Sequence, residues 1–169
     1  MRLVACLILS LGWFAHACAG LEIDGGVLPA SNDYSWYEVL VDAERSHSLD
    51  DLIRLGPNAG FRAASARDVN LGYTNAQVWA HFSLRNATSD EAPLTLVLPV
   101  PLADDVELSS VGEDGQMRHW RTGDSRPFSS RAIDYRAFAF ELRPPPGTRV
   151  VMLLLCVEWC LIFGRCACV

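Results

Sequence analysis

The stretch AQVWAHFSLRN, residues 76–86, decides the fold class. Val78, Ala80, Phe82 and Leu84 fall on one side of an extended chain, and Trp79, His81, Ser83 and Arg85 fall on the other. That is the two-residue period of a pleated strand with one face in a core. Such a strand needs partners, and the neighbouring segments carry strand signals of their own.

Upstream, YSWYEVLVD (34–42) is strand-like in length and rich in aromatic and β-branched residues. SHSLDDLIRL (46–55) has Ser48 placed as an N-cap and Leu49, Leu52 and Ile53 on one helical face, ending at Gly56-Pro57. It predicts one short helix. GFRAASARDVNLGYTN (60–75) reads as a short strand and a polar turn.

Downstream, LTLVLPVPL (94–102) is an apolar run whose prolines confine it to a sandwich edge or a strand end. DVELSSVGEDG and QMRHWRTG (105–123) form a hairpin about Glu113-Asp114-Gly115. AIDYRAFAFEL (132–142) alternates Tyr135, Ala137 and Ala139 with Arg136, Phe138, Phe140 and Leu142. RPPPGT makes a rigid turn, and RVVMLLL (149–155) reads as a buried strand. Short strands punctuated by turns, with a single helix, predict an all-β antiparallel β-sandwich.

Half of the 169 residues are hydrophobic, enough for one cored domain, and the net charge is −6. All 14 cationic side chains are arginine, and no dense basic stripe exists, so nucleic acid is not an expected partner. The N-terminus reads as a signal peptide over residues 1–19: Arg2, an apolar run from Leu3 to Ala15, then Ala17-Cys18-Ala19. Residues 20–33 read as a linker with at most one short edge strand. Cys156, Cys160, Cys166 and Cys168 crowd the last 14 residues, so residues 34–155 contain no cysteine and must be held by packing.

The ordered set YEVLVDAERSHSLDDLI, GFRAA, NLGYTNAQVWAHFSLRNAT, LTLVLPVPLADDVELSSVGEDG, TGDSRPFSSR and YRAFAFELRPPPGT resembles the type 2 extracellular domain of bacterial seven-transmembrane receptors with diverse intracellular signalling modules. The resemblance implies a periplasmic sensor domain at 34–155 with a jelly-roll fold similar to carbohydrate-binding modules. It also implies seven membrane helices and a cytoplasmic effector, such as a diguanylate cyclase, histidine kinase or phosphatase, after the domain. The segment 156–169 departs from that pattern. It reads either as non-native sequence from a shifted frame or as a metal or disulfide cluster; its spacing fits zinc poorly.

Loops on a rigid scaffold concentrate binding residues, and a sugar or carboxylate suits aromatic faces beside guanidinium forks. Trp79, Trp120 and Tyr135 are the candidate faces; Arg121, Arg131 and Arg136 are the candidate forks. His81 and Asp124 complete the candidate ligand site, which centres on TGDSRPFSSR (122–131). There Gly123-Asp124 makes a turn, Pro127 fixes the backbone and Phe128 is expected to cap the core. The competing structural reading is a connection whose arginine pairs with Asp124 or a neighbouring acid. Trp79 could likewise pack against a second layer or a partner subunit.

No nucleophile elbow, zinc-protease helix or phosphate loop is present, so no catalytic residue, cofactor or metal is expected. Asn86-Ala87-Thr88 matches a glycosylation sequon. The expected partner is a small molecule such as a carbohydrate, with a homodimer as a further candidate and membrane attachment only through a following region. The expected role is a sensor domain; the alternative is a stand-alone secreted carbohydrate-binding or adhesion module.

Overall fold

The computed structural model describes residues 20–25, 28, 33–68, 74–98, 103–112, 115–147, 149–158 and 167–168. The signal-peptide segment, linker residues 26–27 and 29–32, the Glu113-Asp114 turn and residues 159–166 of the cysteine-rich tail lie outside them. In chain order the elements are β1 (Gly20–Ile23), β2 (Glu38–Asp42), α1 (Leu49–Leu55), β3 (Arg62–Ala63), β4 (Gln77–Asn86), β5 (Leu94–Leu98), β6 (Asp105–Gly112), β7 (Met117–Thr122), β8 (Phe138–Leu142), β9 (Arg149–Glu158) and β10 (Ala167–Cys168).

Two sheets face each other. The larger runs β3-β2-β4-β9-β6-β7, and the smaller runs β10-β5-β8. One edge of β4 is shared: β2 pairs antiparallel with Gln77–His81, while β1 pairs parallel with Ser83–Asn86. The first strand of the linker region is therefore an integral, parallel element. All other pairings are antiparallel.

The main core fills the space between the sheets. Val78, Phe82 and Leu84 of β4 and Val106 and Leu108 of β6 meet Leu94, Leu96 and Leu98 of β5 and Phe138, Phe140 and Leu142 of β8. These side chains alternate along their strands as the period demands. The fold is thus an all-β sandwich with one α-helix, as the sequence predicts.

Two details differ from the sequence reading and two decide between its alternatives. The strand expected over 34–42 begins only at Glu38, because Trp36 and Tyr37 turn inward and stack 4.8 Å apart, with Trp36 edge-on to Phe82. The run after Arg131 is bent up to Ala137, so β8 starts at Phe138. β5 lies between β10 and β8 and is not an edge; it stops at Leu98, ahead of Pro99, which satisfies the strand-end reading.

The second of these concerns β4, which is buried on both faces. On the side away from the main core, Trp79 packs with Leu52 of α1 and Ala59, flanked by Leu40, Leu49, Ile53 and Phe61. The helix forms where predicted because Ser48 caps it. The Ser48 hydroxyl accepts from the Asp51 N–H at 3.2 Å, and the Asp51 carboxylate accepts from the Ser48 N–H at 3.2 Å.

Candidate functional site

The connection from β7 to β8, residues 123–137, crosses from the large sheet to the small one, and its root is fixed by backbone contact. The Asp124 N–H donates to the Ala103 carbonyl at 2.8 Å, and the Ser125 N–H and hydroxyl both donate to the Asp104 carbonyl, at 3.2 and 2.6 Å. Gly123 makes this approach possible: its φ is +153°, and a Cβ there would collide with the Asp104 carbonyl oxygen.

Two arginines converge on one carboxylate beside that root. Arg126 donates through Nε and Nη2 to both Asp105 oxygens, at 2.9 and 3.0 Å, and Arg121 Nη2 donates to Asp105 Oδ2 at 2.6 Å. Arg121 Nε also lies 2.6 Å from Glu107 Oε1. Burial pushes the Asp105 carboxyl upward, yet the Arg126 and Arg121 hydrogen bonds outweigh it and hold the group down at about 2. Asp105 is therefore a fixed anion. The arginine–acid pairing foreseen by the structural reading exists, with Asp105 in place of Asp124.

The same outer face carries a Ser-His-acid sequence of contacts. Ser109 Oγ is 2.8 Å from His119 Nδ1, and His119 Nε2 is 3.9 Å from Glu107 Oε2. Ser109 is buried, so this trio orients the His119 ring and presents no accessible nucleophile.

Beyond Arg126 a 3₁₀ turn at Phe128–Ser130 reverses the chain. Phe128 does not cap the core: it is 57% exposed. The Arg131 guanidinium lies 4.9 Å from the Phe128 ring centroid and 4.7 Å from that of Phe138, which is fully buried. Arg131 Nη1 donates to the Tyr135 carbonyl at 2.8 Å and to the Ala137 carbonyl at 3.4 Å. These bonds bend residues 132–137 out of the strand.

The eight expected ligand residues fall in three places. Asp124, Arg131, Tyr135 and Arg136 share the loop, and Arg121 joins its root through Asp105. Tyr135 is exposed. Trp120 packs on the main core. Trp79 and His81 lie across the sheet, in registers linked to Arg121 and His119 through β9 and β6. Three strand spacings, roughly 14 Å, separate β4 from β7.

Trp79 is buried under α1, and its indole N–H has no hydrogen-bond partner among the described residues. His81 is buried with Nδ1 3.1 Å from Glu38 Oε2 and its ring 5.1 Å from Phe61. Asn86 of the sequon is also buried, donating through Nδ2 to the Asp90 and Pro144 carbonyls at 2.8 and 2.9 Å.

Glu107, Ser109 and His119 escaped the sequence reading, which foresaw an arginine pairing in the loop but did not single out Asp105 as the acid. The hairpin register could have found part of the set, since a turn at 113–115 sets Glu107 opposite Arg121 and Ser109 opposite His119. Among the described residues, no group of three or more His, Cys, Asp or Glu could hold a metal ion, and no helix is long and apolar enough to cross a membrane.

A family model described as 7TMR-DISM extracellular 2 matches residues 35–156. No curated protein matches the chain.

Proposed function

Because the chain belongs to the 7TMR-DISM extracellular 2 family, we propose that it is the ligand-binding sensor domain of a membrane signalling receptor, exposed outside the cytoplasm, that takes a carbohydrate or another small polar molecule. The observation that carries this reading is the extent of the match, which spans β2 to near the end of β9 and so includes strands of both sheets and the loop between them. The family is one of extracellular sensor domains.

The β7–β8 loop is the favoured ligand site. It offers exposed Phe128 and Tyr135 on the same loop as Arg131, on a root tied to Ala103, Asp104 and Asp105 by Asp124, Ser125 and Arg126. Attached to both sheets, it gives a bound molecule a way to favour one arrangement of the sandwich over another, which is the physical requirement for signalling. The jelly-roll likeness to carbohydrate-binding modules, the membrane helices and the cytoplasmic effector belong to the same proposal.

A thermal-shift panel of neutral sugars, acidic sugars, organic acids and nucleosides tests it. A ligand bound only by the folded state adds about 2.7 kcal/mol at a hundredfold excess over Kd, enough for a melting shift of several degrees. No shift with any member of the panel at saturating concentration would refute ligand sensing.

A further inference from the structure

Arg131 is held in place without a carboxylate partner among the described residues. Arg54, Arg62, Arg85, Arg121, Arg126 and Arg143 each lie within 4 Å of at least one carboxylate. Arg131 is held just as firmly, by two carbonyls through Nη1 and by contact with two aromatic rings, but no described carboxylate pairs with it. A cation fixed in place yet not neutralised is prepared for an external anion, because the entropy of ordering the side chain is already spent.

The surroundings narrow the class. Nε and Nη2 of Arg131 make no hydrogen bond to any described residue, and the guanidinium fork matches a carboxylate through two parallel N–H groups. Phe128, whose ring centroid lies 4.9 Å from the guanidinium, and Tyr135 are exposed on the same loop and offer apolar ring faces. Within the sensor reading above, on which this rests, we infer that the ligand is a small organic carboxylate with a ring: its carboxylate pairs with Arg131 and its ring covers Phe128 or Tyr135.

The full chain would be titrated by calorimetry with phenylacetate and D-glucuronate, and with their uncharged counterparts phenylacetamide and D-glucose. Chemical shifts of residues 122–138 would report where each binds. At least one carboxylate should bind there about tenfold or more tighter than its counterpart, and Arg131→Gln should remove about tenfold of that affinity. Arg131→Lys should restore little of it, since an ammonium cannot reproduce the fork. Arg118→Gln, on the exposed face of β7, should bind like the parent chain.

Should Arg131→Gln fail to fold, Phe128→Ala and Tyr135→Ala decide, since both side chains are exposed; one or both must weaken the carboxylate severalfold. The inference is overturned if neither carboxylate binds, if each binds no tighter than its counterpart, or if these variants leave affinity unchanged. Binding of D-glucose that ignores Arg131→Gln would overturn it while leaving the sensor reading intact. Silence from the whole thermal-shift panel would remove both.

Discussion

Asp105 shows how a single residue can look solvated in sequence and prove structural. No local pattern around it signals a partner; in the fold it is clamped by Arg126 and Arg121 at the root of the β7–β8 loop. Its folded-state pKa of about 2 lies below the ordinary 3.8, so the unfolded chain takes up the proton first as pH falls. The clamp's stabilisation is therefore complete above about pH 4 and is lost on acidification towards pH 2, on the order of 2 kcal/mol in all. Urea unfolding of the parent chain and Asp105→Asn should show a stability gap that narrows by that amount between pH 5 and pH 2. A gap constant over that range would mean the two arginines do not hold the carboxylate.

At the scale of elements, legibility followed distance along the chain. α1 was readable because its cap, acids and apolar face are all local: Ser48, Asp51, then Leu49, Leu52 and Ile53. The β6–β7 hairpin was readable because its turn sets its register. The parallel pairing of β1 with β4, the central place of β5 and the packing of Trp79 under α1 depend on partners tens of residues away, which no local period encodes. The late start of β8 was hidden for a related reason: Arg131 takes the carbonyls that a longer strand would have offered to its neighbour.

Gly123 tests how tightly the loop element is seated. A methyl group there meets the Asp104 carbonyl and comes within 2.8 Å of the Asp105 Cα, both backbone atoms that cannot swing aside. Gly115 also has positive φ, at +74°, but nothing within 4 Å of a Cβ. Gly115→Ala should therefore cost about 1 kcal/mol, the ordinary penalty of a left-handed residue. Gly123→Ala should cost roughly 3 kcal/mol and loosen the Asp124 and Ser125 hydrogen bonds. Equal losses in denaturant midpoint for the two variants would show that the approach to β6 is not constraining.

Across the molecule, the two faces of the large sheet are finished differently. One packs on the small sheet; on the other, α1 covers β2 and β4, whereas β6 and β7 carry the charged ladder of Asp105, Glu107, Arg121 and His119. β9 sits between these halves, bonded to β4 along one edge and to β6 along the other. Like β4, it is paired along both edges, and opening it requires separating both neighbours. Its amides should consequently be among the slowest to exchange with solvent, with opening energies close to that of global unfolding. β7 is bonded to β6 alone among the described strands, so its outward amides should exchange orders of magnitude faster. Mass-spectrometric exchange resolving 149–158 from 117–122 separates the cases: equal rates would mean that β9 is not the keystone joining the apolar half of the sheet to its charged half.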